Sequence, residues 1–444
     1  MKLEELKQKI ETAGVIGAGG AGFPTHMKLV PGIDTVLVNA SECEPLLYTD
    51  FAIMQRNMDQ VTAGAQAVRE ALGAKQAVIA MKSHTAAGLD FQDGEKLGES
   101  ASVKILPDIY PVGDEIILIY QALGRIVPPG QLPSAVGVVV INVETAYNIF
   151  NSLHDVPVTE KWLTIGGNVP QPMVVKVPIN CNVAAVLKAA GVTVPAGHSV
   201  LDGGPAMGRI INPATAKITK KTKSLLILPD EIPAIAFKSI TTERMLKRTS
   251  SACCQCSYCT DMCPRHLIGY PLQSHKTIRA VASAQLNHPD DLLTASLCSG
   301  CGVCTLMACC QGIAPSVTMG EVKRNLGKNK LAYRSSEPVT PDPERDNRLV
   351  PVSRFKSRIG VAKFDKPARF AEDFSVKQGI FQLPLSQHVG KPSVPVVTAG
   401  DAVDAGQKIA KAAEGISAAL HTPVSGKVLA VTDSYIEIAT GGVK

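Results

Sequence analysis

Cysteine is the residue type around which this chain is arranged, and ten of its twelve cysteines fall between Cys253 and Cys310. The first group is Cys253, Cys254, Cys256, Cys259 and Cys263. It contains the run C-x2-C-x2-C-x3-C-P, which closes on Pro264. Three thiolates at this step wrap three corners of a [4Fe–4S] cube, and the proline follows the fourth ligand. Backbone amides of so tight a loop turn inward against the negative charge of the cluster. The second group repeats C-x2-C-x2-C through Cys298, Cys301 and Cys304, but not the last step. A three-residue gap lands on Ala308, which has no donor atom. Cys309 is the favoured fourth ligand. Cys310, standing where a proline is expected, is the alternative.

Where two cubes are paired, the fourth cysteine of one run serves the other cube. The expected sets are therefore Cys253, Cys256, Cys259 and Cys309, and Cys298, Cys301, Cys304 and Cys263. A structural zinc ribbon needs only four ligands, and eight thiols in two matched sets exceed that need. Cys254 is left over and is expected to be a small buried thiol.

A second chemistry-bearing stretch is GVIGAGGAGFPTHMK, Gly14 to Lys28. Gly17, Gly19 and Gly22 satisfy G-x-G-x-x-G, which in a dinucleotide fold follows a strand. Here Leu3, Leu6 and Ile10 recur at helical spacing just before it. The loop is therefore not a standard dinucleotide turn, although its backbone can still approach a phosphate or a flat ring. The preceding helix is expected to pack on its own domain rather than act as a docking tag.

The elements that must hold these residues alternate in type. Strands are expected at Asp34–Ala40, Gln76–Met81 and Val103–Leu106, with a helix over Met54–Leu72. That alternation means βαβ units and a mostly parallel sheet. Ligands in such sheets sit at the carboxyl ends of strands, where Asn39, Ser41, Glu42 and Glu44 fall. YPVGDE, Tyr110 to Glu115, opens a helix running to Leu123. GVVVINVETAYN carries a strand to Ile141 and a helix from Val143, with Asn142 at the junction.

Composition bounds the partners. Aromatics make up 4% of the 444 residues, with Trp162 the single tryptophan, too few for base-stacking platforms. The net charge of +6 is mild, and the basic stretch KITKKTK, Lys217 to Lys223, is expected to be a solvated face. No nucleic-acid partner is expected. The opening residues are charged and lack an apolar h-region, and no apolar run reaches membrane-span length. Clustered, metal-spaced cysteines suit a reducing compartment. A cytoplasmic protein without direct membrane insertion is expected.

GAGGAGFPT, NASECEP, YPVGDE and INVET occur in the order found in the NADH-binding flavoprotein subunit of respiratory complex I. The chain resembles that family, and more closely its relatives, the C subunit of the Rnf electron-transport complex and the cobalamin reductases of propanediol-utilisation microcompartments. The resemblance implies FMN bound in this domain and NADH as hydride donor. It places Gly17, Gly19, Gly20, Ala21 and Gly22 in the flavin loop and Phe23 against the nicotinamide or flavin. Asn39, Ser41 and Glu44 would line the flavin, Tyr110, Gly113, Asp114 and Glu115 would contact flavin and dinucleotide, and Asn142 would meet the phosphate end. Glu44 and Glu115 are the expected catalytic carboxylates. The chain departs from the family's pattern at Ala18, where arginine is common, at Ser41, where an acid is common, and at Ile141, where the first of two asparagines is usual.

The same resemblance organises the rest of an α/β multidomain chain. Residues 1–156 would be a Rossmann-like FMN/NADH domain. Residues 157–239 would be a soluble-ligand-binding β-grasp domain, including LDGGPAMGRI, with His198 a surface residue. Residues 240–331 would be a ferredoxin-like helical domain with two [4Fe–4S] clusters, its loops held by helices His275–Leu286 and Leu292–Leu297. Residues 332–380 would be a polar, proline-rich linker. Residues 381–444 would be a barrel-sandwich hybrid of the kind found in biotinyl and lipoyl carriers. The hairpin Glu414–Leu420 holds no lysine, so no covalent cofactor is expected.

A flavin that accepts electron pairs, followed by centres that take one each, implies an oxidoreductase. The sandwich unit follows the clusters, as in the cobalamin reductases, so cobalamin is the expected acceptor. A cobalamin-handling enzyme and microcompartment shell proteins are the expected partners. An Rnf-type membrane-complex subunit and a non-catalytic electron conduit are the alternatives.

Overall fold

The computed structural model describes residues 1–285 and 288–441. The first unit is a parallel sheet between two helical layers. Its elements are α1 (Leu3–Thr12), β1 (Thr35–Ala40), α2 (Thr49–Leu72), β2 (Gln76–Lys82), α3 (Ser83–Leu89), β3 (Lys96–Leu97), β4 (Ala101–Leu106), β5 (Ile109–Tyr110), α4 (Glu115–Leu123), β6 (Val138–Asn142) and α5 (Val143–Leu153). The sheet order is β3-β4-β2-β1-β6, with only β3 antiparallel to its neighbour.

The interior strand β1 is buried on both faces, as strands of a covered parallel sheet must be. Val36, Val38 and Ala40 pack with α1, α2 and α5. Leu37 points the other way, into a core shared by α4 and by Ile268, Tyr270, Leu272 and Leu297 of the cysteine-rich unit. The period-2 alternation of one strand thus brings the cysteine unit directly onto the back of the flavin-type sheet. In α2 a Cβ on Gly64 would overlap the Ala146 carbonyl oxygen of α5, so glycine is required for the two helices to approach this closely. Leu6 and Ile10 of α1 are fully buried in the same core, contributing about 1.5–3 kcal/mol each. The first helix is packed on its own unit, as expected.

The second unit is a mixed sheet. The hairpin β7 (Glu160–Gly167) and β8 (Met173–Pro178) leads to α6 (Val183–Ala189), then β9 (His198–Asp202), β10 (Arg209–Ile211) and β11 (Ser224–Pro229). β11 returns parallel to β7 and antiparallel to β9. The last unit stacks strands Ile380–Pro384, Ala402–Val403, Gly426–Val431 and Tyr435–Thr440 on strands Val394–Pro395, Lys408–Lys411 and Leu420–His421. Phe381, Leu383, Ile436 and Ile438 interleave with Leu163, Ile165, Val175 and Val177, so the two units share one core.

The cysteine-rich unit is helical, with Thr242–Ala252, Ser274–Ser283 and Pro315–Lys328 as its longest helices. The helix expected at His275–Leu286 starts one residue earlier and ends at Ser283, and Leu286 itself lies outside the described residues. The segment expected as a linker is not a free tether. Val350–Pro351 pairs with β5, Arg369–Phe370 pairs with β8, and Val350, Phe355, Ile359 and Val361 are buried. Those apolar residues lie beyond the proline-rich stretch that suggests a linker. Among the described residues no helix is long and apolar enough to cross a membrane.

Candidate functional site

The carboxyl ends of β1 and β6 lie side by side, with Asn39 and Asn142 in register. Asn142 caps α5 by accepting from the Glu144 amide at 3.0 Å, and its Nδ2 donates to Asp50 at 2.9 Å. The glycine loop arches over this junction. A Cβ on Gly19 would sit 3.1 Å from the Asn142 side chain. The Gly17 amide closes the loop on the Phe23 carbonyl at 2.9 Å, and the Ala18 amide is anchored on Thr145 at 3.0 Å. Gly19, Gly20 and Ala21 are exposed, and their amides have no acceptor among the described residues. Asn39 donates to the Gly113 carbonyl at 2.9 Å and accepts from the Ser41 amide at 3.1 Å. A Cβ on Gly113 would overlap the Ser41 carbonyl oxygen, so the turn before α4 closes on this strand end only as glycine. Glu115, at the first position of α4, pairs with Lys28 at 3.1 Å.

Beneath the loop lies a buried ionic network. Lys161 pairs with Glu144, both 1% exposed, and Lys223 pairs with Asp50. Burial opposes the charge on Lys223, yet Asp50, Glu144 and Glu42 together hold its amine above the ordinary lysine value. Burial and the Asp50 carboxylate push Glu42 up to about 8, and its Oε1 has no partner among the described residues. The basic stretch Lys217–Lys223 is therefore not the solvated face that its composition suggests. Lys223 turns into this network. Lys220, 3% exposed, donates to Gly14 at the loop's root at 2.7 Å and to Ala419 of the last unit at 3.2 Å. Burial pulls the Lys220 amine down to about 7.

Glu44 and Tyr110 form a separate joint. The Glu44 carboxylate accepts from the Ala206 and Met207 amides, each at 2.9 Å, and from the Tyr110 hydroxyl at 3.1 Å. Burial raises its pKa. Tyr110 is 2% exposed, stacks on Phe355 at 4.1 Å, and donates to the Cys301 carbonyl at 2.7 Å. Asp114 caps α4 by accepting from Ile116 and Ile117, and its other oxygen pairs with Arg265 at 2.9 Å. Two bridges thus connect the flavin-type unit to the cysteine loops.

The cysteines gather in two groups. Cys253, Cys256, Cys259 and Cys309 line one pocket together with Cys254 and Cys310. Burial, then the neighbouring Cys256, Cys309 and Cys253, push the Cys259 thiol up to about 12. Burial, then Cys298, push Cys263 up to about 11, and Cys304 is raised by burial and by Cys298, Cys301 and Cys263. Buried thiols that raise one another in this way become thiolates together only beside a cation. The sulfurs that lie within 4.8 Å of one another are those of Cys254, Cys256 and Cys310, so of the first expected set only Cys256 belongs to this closest group. Residues Cys304–Ala308 form a π-helical turn, and the Cys309 amide bonds the Cys304 carbonyl at 3.1 Å. The wider turn takes up the extra residue that displaces Cys309 from the spacing of the first run. Cys254 is exposed, contrary to the expectation of a buried thiol, at the open mouth of this pocket with Cys256 and Cys310, which are exposed as well.

Residues 10–151 match the Nuo51 FMN-binding domain, residues 252–314 a 4Fe-4S dicluster domain, and residues 371–443 the RnfC barrel sandwich hybrid domain. Cobalamin reductase PduS of Salmonella typhimurium is 37% identical over 444 residues, covering 99% of this chain and 98% of its own. The chain belongs to the PduS family of cobalamin reductases. The family's Citrobacter freundii member is also 37% identical, over 99% of this chain and 97% of its own. The C subunit of the proton-translocating ferredoxin:NAD(+) oxidoreductase complex of Clostridium ljungdahlii is 30% identical but covers 60% of this chain and 57% of its own.

In this PduS-family chain the predicted residues divide into two places. Gly17, Gly19, Gly20, Ala21, Gly22, Phe23, Asn39, Ser41, Gly113 and Asn142 gather around the strand ends, and Glu115 lies at their edge with Lys28. Tyr110, Glu44 and Asp114 instead face the second unit and the cysteine loops. Sequence reasoning missed Lys28, Asp50, Glu144, Lys161, Lys223 and Arg265. Glu144 lies within the INVET motif, and Arg265 directly follows the cysteine run's proline. Lys161 carries no local signal, and Lys223 ends the basic stretch whose composition suggests a solvated face.

Proposed function

We propose that this chain is an NADH-dependent cobalamin reductase. The observation that carries the reading is the end-to-end match to a curated cobalamin reductase. The Rnf-type relative matches only 60% of the chain. When bound, FMN supplies the conversion of a hydride pair into single electrons, and the clusters supply one-electron carriage.

The chain's own residues divide the work. The free amides of Gly19, Gly20 and Ala21 would hold the phosphate end of FMN, with Asn142 beneath them and Gly17, Gly22 and Phe23 shaping the loop. Asn39, Ser41 and Gly113 would fix the wall beside the ring, and Glu42, with its unpartnered oxygen, would accept a ligand hydroxyl. Glu115, held by Lys28 at the open edge, would meet the dinucleotide. Glu44, with Tyr110, would act as a positioning residue, keeping the second unit closed on the flavin unit, and Asp114 would do the same toward the cysteine unit. Cys253, Cys256, Cys259 and Cys309 would hold one cluster and Cys298, Cys301, Cys304 and Cys263 the other. The π turn supports Cys309 over Cys310. Residues 157–239 would serve as a soluble-ligand-binding β-grasp unit, a reading supported by β11 returning parallel to β7 beside the β7–β8 hairpin. A location in the cytoplasm inside a propanediol-type microcompartment, with shell proteins and a cobalamin-handling enzyme as partners, completes the proposal.

The test is anaerobic. Protein loaded with flavin and iron is mixed with NADH and cob(III)alamin, and both spectra are followed. Corrinoid reduction in step with NADH loss is expected. NADH consumption with unchanged corrinoid absorbance would refute the acceptor, and no NADH consumption would refute the donor.

A further inference from the structure

The two cysteines left outside the ligand sets lie side by side. Cys254 follows Cys253, which ends the helix Thr242–Ala252, and Cys310 follows Cys309, which ends the π turn. They are 56 residues apart in sequence, both exposed, and their sulfurs are 3.7 Å apart. A disulfide needs about 2.05 Å, and rotation of two exposed side chains can close that gap. Cys254 therefore sits inside the first of the two loops that would grip the same cluster, between Cys253 and Cys256, and Cys310 sits immediately after the second, with the Cys256 sulfur within 4.8 Å of both.

We propose that Cys254 and Cys310 form a reversible disulfide that clips these two loops together at the rim of the first cluster pocket, an inference that rests on Cys309 being the ligand. The oxidant is a low-molecular-weight disulfide. One cysteine thiolate attacks it, forming a mixed disulfide and releasing one small thiol. The second cysteine then attacks the mixed disulfide, forming the Cys254–Cys310 bond and releasing the other small thiol. The two electrons lost by the cysteine sulfurs reduce the small disulfide, and the two cysteine protons pass to the two released thiols. Exposed disulfides of this kind are the labile, regulatory ones. Once formed, the bond closes a covalent ring around the pocket mouth and slows the escape of iron.

The test uses iron-loaded holoenzyme under anaerobic conditions, incubated with oxidised glutathione, alkylated, and mapped by mass spectrometry without reduction. The expected result is a linked pair containing Cys254 and Cys310. Dithiothreitol should abolish the link, and it should be absent in Cys254→Ser and Cys310→Ser. Both variants should keep the full iron content, about eight atoms per chain. In the oxidised wild type, iron release to a chelator should slow at least threefold, and not in either variant. Alkylation of both thiols after glutathione treatment would overturn the proposal. Loss of about half the iron in Cys310→Ser would instead show that Cys310 is a ligand, which refutes the ligand assignment rather than the chemistry of the pair.

Discussion

Replacing Arg265 with methionine tests how the cysteine unit is held against the flavin unit. The guanidinium is 2.9 Å from Asp114, and the two side chains are only 15% and 9% exposed. Asp114 also caps α4 through the Ile116 and Ile117 amides at 3.1 and 3.2 Å. Removing one partner of a buried pair costs roughly 3–5 kcal/mol, because the other charge stays buried. Here the two amides and the positive end of α4 still stabilise the carboxylate, an offset of about 1 kcal/mol. Arg265→Met should therefore destabilise the joint by about 3 kcal/mol. Asp114→Asn retains a capping oxygen but strands the guanidinium, and should cost about as much. The double variant leaves neither charge and should recover at least about 2 kcal/mol relative to the sum of the singles. The assay is anaerobic denaturant unfolding, read at cluster absorbance for the cysteine unit and at the single Trp162, buried between the first two units. The loss should appear mainly at the cluster signal. A single variant within about 0.5 kcal/mol of wild type, or additive singles, would refute the reasoning.

Cys309→Ala should remove about half of the iron while leaving flavin content unchanged, checked by iron analysis against flavin absorbance. Gly113→Ala drives a methyl into the Ser41 carbonyl; a cost of about 1–3 kcal/mol and a loss of bound flavin are expected, read by thermal melting and flavin release. Lys220 has a folded value of about 7, below the ordinary lysine value of 10.5, so between these pH values the unfolded chain holds a proton that the folded chain lacks. Its contribution to stability therefore rises with pH across that window, by about 1.4 kcal/mol per pH unit, and Lys220→Met should remove that slope in unfolding measured at pH 7.5, 8.5 and 9.5.

What could be read from the sequence was what is encoded locally. The cysteine steps are set by the reach of one loop around one cube, so Cys253 through Cys263 can be read without any partner. The strand ends at Asn39 and Asn142 follow from β-branched runs meeting helix-forming segments. The burial of Lys220 and Lys223 could not be read, because the groups that receive them, Gly14, Asp50 and Ala419, lie far away in sequence. Phe355 gave no signal either; it is buried because it stacks on Tyr110, far earlier in the chain. The nearness of Cys254 to Cys310 was hidden for a related reason, since the two are 56 residues apart in sequence.

The placement of the last unit carries a physical consequence for the first. The glycine loop needs exposed, free amides at Gly19, Gly20 and Ala21, and such a loop has a high entropy when untethered. It is tied down at both ends by distant parts of the chain. Lys220 holds Gly14 and, through the same amine, Ala419. The Val389 amide donates to the Gly22 carbonyl at 3.1 Å, and the Lys221 side chain packs where a Cβ on Gly22 would stand. The sandwich unit, which in biotinyl and lipoyl carriers holds a cofactor on lysine, here acts as a buttress for the loop. The segment Val350–Phe370 leads the chain there, pairing first with β5 of the flavin unit and then with β8 of the second unit before the sandwich begins. Val389→Pro removes the amide that holds Gly22 while leaving the core shared with the second unit in place, so it should loosen the loop and lower flavin retention while the cysteine loops keep their iron. Equal loss of flavin and iron in this variant would show that the sandwich unit supports the whole fold rather than the loop.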